Sequence, residues 1–268
     1  MYILKSVVGF YALILLLAHT TLGNRTCESH YCPCCHSCVK NWSPFGNPHR
    51  PAGCPFCQVV ERHRRICLEL NTKLSPNAKG NLAYFGPHTN HVKQIQANFP
   101  LLNVFQFDYF APGYKNGYYD RNTIRADVQS IPLQTNSLDY VIILHVLEHV
   151  PSLNKSLSEL SRVIQHGGML YHETPCSLRE TNLLCSNTNR ILGVCRQKDH
   201  LWDYSCKHIG EQLFFHGFSC KHTSYTKTNL KYYGIETPSS PLVRSPLNVC
   251  TKNNDQPNWQ LQHSSDVV

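Results

Sequence analysis

Two C-x-x-C pairs stand near the start of this chain, Cys32-Pro33-Cys34-Cys35 and Cys54-Pro55-Phe56-Cys57, with 18 residues between them. Two intervening residues let one tight knuckle aim both sulfurs at a single ion about 2.3 Å away, and two knuckles complete a tetrahedron. Cys32, Cys35, Cys54 and Cys57 are therefore candidate ligands of a structural zinc, with no position left for a catalytic water. Two alternatives stay open. Cys35-His36-Ser37-Cys38 has the same spacing and would leave 15 residues before Cys54, and a disulfide cluster would use the same cysteines in an oxidising compartment.

A second group of chemically capable residues lies downstream, where short apolar runs end in polar ones. Asp108 closes Asn103–Phe107 and Asp127 follows Ile124-Arg125-Ala126. A carboxylate ending the second strand of an α/β unit accepts both hydroxyls of a ribose, and one ending the third is placed to accept from the exocyclic amine of an adenine. Gly86, in the turn after the first run, lets the backbone approach such a ligand. Each aspartate has an ordinary competing role, because Asp also caps turns and helices.

These residues need a frame that brings strand ends together, and the hydrophobic pattern supplies it. Leu82–Phe85, Asn103–Phe107, Ile124–Ala126, Leu138–Leu144 and Met169–Tyr171 read as strands. The fourth is apolar throughout except Asp139, as a strand covered on both faces must be. Between them run helices. Val92–Ala97 has Thr89 or Asn90 available as a cap, and Leu153, Leu157, Leu160 and Val163 form one stripe of a helix stopped by Gly167-Gly168. Alternating strands and helices predict a doubly wound, mostly parallel sheet with ligands at the carboxyl ends of its strands. Upstream, Val59, Val60, His63, Ile66, Cys67, Leu70 and Leu74 define an amphipathic helix whose other face carries Glu61, Arg62, Arg64 and Arg65; that face reads as solvated. The domains predicted are a cysteine module with its linking helix over 27–75, a sheet domain over 81–253 and a disordered tail over 254–268.

The chain has 268 residues with a net charge of +8, and 41% are apolar. That suffices for one sizeable core and a satellite, and excludes collagen, coiled-coil and multi-span membrane classes. Apart from Arg62 to Arg65 the basic residues are scattered, so no strong nucleic-acid signal exists. Residues 1–23 place Lys5 before the apolar run Val7–Ala18 and end in Thr21-Leu22-Gly23. This reads as a signal peptide, with an uncleaved membrane anchor as the alternative. All 14 cysteines follow it, as do the sequons at Asn24, Asn41 and Asn154. The predicted location is the secretory pathway, lumenal or secreted, with possible membrane association through residues 1–23.

Four blocks in order carry a resemblance: Ala126-Asp127-Val128-Gln129-Ser130-Ile131-Pro132-Leu133; Asn136 to Val141; His145-Val146-Leu147-Glu148-His149-Val150; and Leu160-Ser161-Arg162-Val163-Ile164 before Gly167-Gly168. Together they resemble the class I S-adenosylmethionine-dependent methyltransferases of the type-11 group. The cysteine knuckles, Pro44-Phe45-Gly46, Arg50 and Glu61-Arg62-His63-Arg64, with Gln197-Lys198-Asp199-His200, Tyr204 and Gly217-Phe218 later on, resemble a subgroup in which a zinc ribbon precedes that domain. The turn Tyr84-Phe85-Gly86-Pro87-His88 departs from the family's glycine-rich form, having one glycine and a proline.

The resemblance implies a Rossmann-like, seven-stranded methyltransferase sheet with a small N-terminal zinc ribbon. It also implies S-adenosylmethionine as cofactor, zinc as structural metal, and an unidentified methyl acceptor. Gly86, Asp108, Asp127 and His145 are the expected cofactor contacts. Methyl transfer asks chiefly for positioning, and for a base only where the acceptor must lose a proton. Candidate bases are His145, His149, Glu173 and the pair Asp199-His200, with His200, oriented by a carboxylate, and His149 the catalytic candidates. The alternative from another class is a non-catalytic lumenal binding module on a degenerate methyltransferase fold, its ten remaining cysteines forming disulfides.

Overall fold

A computed structural model describes residues 27–46, 49–110, 122–183, 200–223, 225–235 and 246–253. The expectations for residues 1–23, for the Asn24 sequon, for Asp199 and for the tail 254–268 lie outside the described residues.

The chain opens with two small hairpins. β1 (His30–Cys32) pairs antiparallel with β2 (Ser37–Val39), and β3 (Ser43–Phe45) with β4 (Arg50–Gly53). The helix α1 (Glu61–Lys73) follows. Its arginine face corrects the sequence expectation, because Glu61, Arg64 and Arg65 are buried rather than solvated. Arg64, fully buried, donates to the carbonyls of Ala52 (2.8 Å), Val59 (2.9 Å), Tyr233 (2.9 Å) and Gly234, while its guanidinium lies 3.9 Å over the Trp42 ring. A planar fork of donors is suited to such a clasp, since a point-charge ammonium cannot serve several carbonyls in one plane. Periodicity alone missed it, because a buried arginine and an exposed one have the same spacing.

Beyond α1 the strands and helices alternate: β5 (Gly80–Phe85), α2 (Thr89–Asn98), β6 (Leu102–Asp108), β7 (Thr123–Arg125), β8 (Leu138–Leu144), α3 (Leu153–Val163) and β9 (Ile164–Glu173). Then come β10 (Cys176–Ser177), β11 (Asn182–Leu183), β12 (Trp202–Ser205), α4 (Cys206–Phe215), β13 (Phe218–His222), α5 (Lys227–Tyr232) and β14 (Leu247–Lys252). Seven strands form one sheet in the order β13-β14-β9-β8-β5-β6-β7, parallel except that β14 runs antiparallel to both neighbours. The strand order reverses between β5 and β8, the switch point at which doubly wound sheets open a crevice for ligands. One face is covered by Leu157 and Leu160 of α3 and Ile209 and Leu213 of α4. The other is covered by Ile66 and Leu70 of α1 and Val92 and Ile95 of α2. The doubly wound sheet predicted from the sequence is therefore the architecture observed.

Two local expectations are corrected. Helix α2 is preceded by His88, whose side chain makes no capping bond, so neither Thr89 nor Asn90 is the cap. Helix α3 ends at Val163, and β9 then runs through Gly167-Gly168. The glycine pair bends a strand: Gly167 has φ +76°, and a β-carbon on Gly168 would stand 3.0 Å from the Asp139 carbonyl.

Four disulfides are present among the described residues: Cys27–Cys38, Cys34–Cys67, Cys176–Cys206 and Cys220–Cys250. Cys34–Cys67 ties the hairpins to α1. Cys220 and Cys250 face each other across β13 and β14. Cys32, Cys35, Cys54 and Cys57 are not disulfide-bonded.

Candidate functional site

The two C-x-x-C pairs converge. The Sγ atoms of Cys32 and Cys57 are 3.7 Å apart, as are those of Cys35 and Cys54, and all four lie within 4.8 Å of one another. A tetrahedron of thiolates about 2.3 Å from a central ion has edges of about 3.8 Å, so the donor set and its spacing fit zinc. Cys38 is taken by Cys27 and Cys34 by Cys67, which settles the register of the first knuckle in favour of Cys32 and Cys35. Metal-type and disulfide-type cysteines thus coexist in one module.

The second candidate site lies along the carboxyl edge of the sheet. Gly86 ends β5 with its N–H on the Phe107 carbonyl (2.9 Å) and φ +64°, and a β-carbon there would meet Val146 Cγ2 at 2.9 Å. Only glycine lets β5 and β8 release their chains so close together. Asp108 ends β6, and Asp127 follows β7, with the Ala126 N–H on the Asp108 carbonyl (3.0 Å). Gly86, Asp108 and Asp127 therefore occupy three adjacent strand ends beginning at the switch point. Both carboxylates also hold their own turns: Asp108 Oδ1 accepts from the Phe110 N–H (2.8 Å), and Asp127 Oδ1 from the Gln129 N–H (2.8 Å). The half-exposed Tyr109 ring, beside Asp108, received no role from the sequence.

His145 ends β8 in the left-handed region (φ +54°), its N–H on the Glu173 carbonyl (2.8 Å). Its ring sits between two buried carboxylates, with Nε2 3.1 Å from Glu173 Oε1 and Nδ1 3.3 Å from Glu148 Oε1. Burial opposes its charge, but its contacts with Glu148 and Glu173 outweigh that and raise its pKa to about 9. Glu173 Oε1 also accepts from Arg65 Nη2 at 2.7 Å, so α1 supplies a cation to the strand end. His172, one residue earlier and fully enclosed, is driven the other way, to about 4, by burial.

The catalytic candidates His149 and His200 come together at the next step of the edge. Their rings are perpendicular with centroids 4.8 Å apart, and each Nε2 lies 3.9 Å from Glu148 Oε1. The Leu201 N–H on the Glu148 carbonyl (2.8 Å) draws the segment bearing His200 onto the single turn Leu147–His149. Among the described residues, the carboxylate beside His200 is that of Glu148. Like Tyr109, Glu148 and Arg65 are site residues to which the sequence reading gave no role. A glutamate placed between two histidines of one short block was the available signal.

Residues 81–172 match the family model for a methyltransferase domain. No curated protein matches the chain. Among solved structures it is similar to an S-adenosylmethionine-dependent methyltransferase from Mesorhizobium loti (13% identity, 69% of this chain and 96% of that one, TM-score 0.49). It is also similar to phosphoethanolamine N-methyltransferase 2 from Haemonchus contortus (12% identity, TM-score 0.49), with 71% of this chain covering 52% of that one. A third is the YcgJ protein from Bacillus subtilis (12% identity, 72% of this chain and 100% of that one, TM-score 0.48). Strand order and the domain match, not these likenesses, carry the fold.

Proposed function

We propose that this protein transfers a methyl group from S-adenosylmethionine to an acceptor bound at the carboxyl edge of its sheet, and that its N-terminal module is a structural zinc ribbon. The observation that carries the reading is the placement of Gly86, Asp108 and Asp127 on three adjacent strand ends beginning at the switch point, inside the segment matching a methyltransferase domain. S-adenosylmethionine supplies an electrophilic methyl group on a sulfonium. Gly86 gives the backbone room at the turn, Asp108 accepts from ribose hydroxyls, and Asp127 from the adenine amine. His145, held between Glu148 and Glu173, lines the same edge. His149 and His200 stand beyond it, where an acceptor would lose a proton. The acceptor class proposed is a small molecule, glycan or lipid.

The four thiols of Cys32, Cys35, Cys54 and Cys57 would hold zinc as thiolates. No coordination position then remains open, so the ion's contribution is to folding.

Disulfides beside free thiols support passage through an oxidising compartment, with metal protecting the four thiols that remain. The secretory pathway is the proposed location. Among the described residues no helix is long and apolar enough to cross a membrane.

Isothermal titration of the full chain with S-adenosylmethionine and S-adenosylhomocysteine tests the reading. Binding of both at one site, lost together when Gly86→Val fills the turn, is expected. Absence of binding by the folded, metal-loaded wild type would leave the sheet as a scaffold without this chemistry.

A further inference from the structure

We propose that Glu148, His149 and His200 form a binding site for one divalent transition-metal cation, separate from the cysteine cluster. One oxygen of Glu148 and one ring nitrogen from each histidine lie within 4.8 Å of one another. The two Nε2–Oε1 separations are 3.9 Å. Donors about 2.1 Å from an ion at angles of 90–110° stand roughly 3.0–3.4 Å apart, so these two edges close with movements of about half to one ångström. The two histidine side chains, 32% and 18% exposed, are on the side from which an ion enters, and the fully buried Glu148 forms the floor.

The second observation is the state of Glu148. Its side chain has no exposure, and neither oxygen accepts a hydrogen bond. A buried carboxylate without hydrogen bonds is costly unless cations are nearby; His145 supplies one beside Oε1, and the ion proposed is a second positive partner, on the side of His149 and His200. The facing charged groups are His145 Nδ1, 3.3 Å from Oε1, and beyond it Glu173 with Arg65. Arg65 is committed to Glu173 at 2.7 Å, and the Tyr204 hydroxyl donates to the Leu147 carbonyl (3.3 Å) rather than to the carboxylate. An ion at this position would satisfy Glu148 on the side of the two histidines.

The donor set identifies the class of ion. Two imidazoles and a carboxylate suit zinc, iron, cobalt, nickel or manganese, whereas magnesium and calcium prefer all-oxygen sites. Three protein ligands leave at least one coordination position open, unlike the closed thiolate cluster. The site stands on its own geometry; with an ion bound, the ligating nitrogens of His149 and His200 are no longer proton acceptors, so it replaces their role as bases and leaves the cofactor contacts of the methyl-transfer reading untouched.

The test is titration of full-length protein, its cysteine cluster loaded with zinc, with cobalt(II), followed by calorimetry and visible absorption. We expect one equivalent beyond the ribbon zinc, giving weak ligand-field bands without the intense sulfur-to-cobalt charge transfer of a thiolate site. Glu148→Gln, which keeps the side chain's volume, and His200→Asn should each weaken this binding at least 100-fold, beyond the 10–100-fold typical of lost outer-shell partners. Circular dichroism confirms folding, and if Glu148→Gln fails to fold, His200→Asn decides alone. Absence of a second equivalent in the wild type, or undiminished cobalt affinity in a folded variant, would overturn the site. S-adenosylmethionine affinity, measured on the same samples, reports separately on the methyltransferase reading.

Discussion

The cysteine cluster and the acid-histidine edge are both convergences of metal-type ligands, yet they are built on opposite plans. Cys32, Cys35, Cys54 and Cys57 come from two short loops in a small module, with sulfurs 3.7 Å apart in two pairs and no other group between them. Glu148, His145, His149, His200 and Glu173 come from three segments brought together by a sheet, with separations from 3.1 to 3.9 Å and partial exposure of the histidines. On the readings proposed above, the ligands hold the fold in the first, and the fold holds the ligands in the second. Removing a ligand should therefore unfold one region and only disarm the other.

The largest effect is expected at the ribbon. Structural zinc in small modules contributes apparent binding free energies of about 10–16 kcal/mol, and four thiols in two hairpins have little apolar core to replace it. Cys54→Ser should abolish zinc binding by the cluster, read by mass spectrometry of the native protein, and melt the hairpins. Ile66 and Leu70 of α1 are buried in the sheet's own core, so α1 should survive. Loss of the whole sheet in the same variant would refute the contrast.

Next comes the link between the two regions. Arg65 reaches from α1 to Glu173 at 2.7 Å, with the two side chains 7% and 1% exposed. Removing one partner of a buried ion pair typically costs about 3–5 kcal/mol because the other charge is left stranded. Arg65→Ala should lower stability by that order in urea unfolding, and Arg65→Ala/Glu173→Gln should recover part of it. Losses of Arg65→Ala and Glu173→Gln that simply add in the double variant would mean the pair has no coupling.

The contrast also explains what the sequence revealed. C-x-x-C spacing is a local property, so the cysteine cluster was readable, and its register was not, because Cys35–Cys38 has the same spacing as Cys32–Cys35 and they are distinguished by tertiary placement, the Cys27–Cys38 disulfide and the approach of Cys32 to Cys57. Strands β5 and β8, central in the sheet, were readable because burial on both faces leaves a nearly continuous apolar run, as in Leu82–Phe85 and in Leu138–Leu144 apart from Asp139. Gly167-Gly168 misled, since glycine ends helices and bends strands alike. The role of Arg65 was hidden because Glu173 is 108 residues away, and that of Arg64 because two of its four carbonyl acceptors, Tyr233 and Gly234, are 169 and 170 residues away. Glu148 was hidden for the same reason: the Leu201 N–H that fixes His200 near it is a tertiary contact.

A smaller effect, a few kcal/mol, is expected where ribbon and sheet meet. The His63 ring packs at a tilt against those of His88 (centroids 4.7 Å apart) and His91 (4.8 Å), and Tyr84 shares a hydrogen bond with His91 Nδ1 (3.0 Å). Burial, reinforced by His88 and Arg62, lowers His91 to about 3. Its folded pKa lies below the unfolded value near 6.5, so this contribution is fully present above pH 6.5 and is lost as pH falls from there towards 3. At about 1.4 kcal/mol per unit, a window of that width amounts to a few kcal/mol. The measurement is urea unfolding between pH 7 and pH 4, with His91→Gln expected to flatten the slope; an unchanged slope would place the acid sensitivity elsewhere.

The smallest effect concerns ligand rather than fold, and it separates two duties of the same carboxylates. Asp108 and Asp127 each accept a backbone N–H at 2.8 Å from two residues ahead, a bond that shapes the strand end whatever is bound there. Asparagine keeps an oxygen for that bond and gives up the charge, whereas alanine gives up both. Charge-assisted hydrogen bonds are worth about 1.5–3 kcal/mol, so Asp108→Asn and Asp127→Asn should each weaken S-adenosylmethionine binding by roughly 10- to 100-fold while leaving stability nearly unchanged. Alanine should match that loss of affinity and add a loss of stability of about 1 kcal/mol from the broken turn. Wild-type affinity in the asparagine variants with reduced affinity only in the alanine ones would show that the acids serve the edge as turn-formers. The carboxyl edge would then resemble the ribbon more than the contrast allows, its polar residues holding shape rather than ligand.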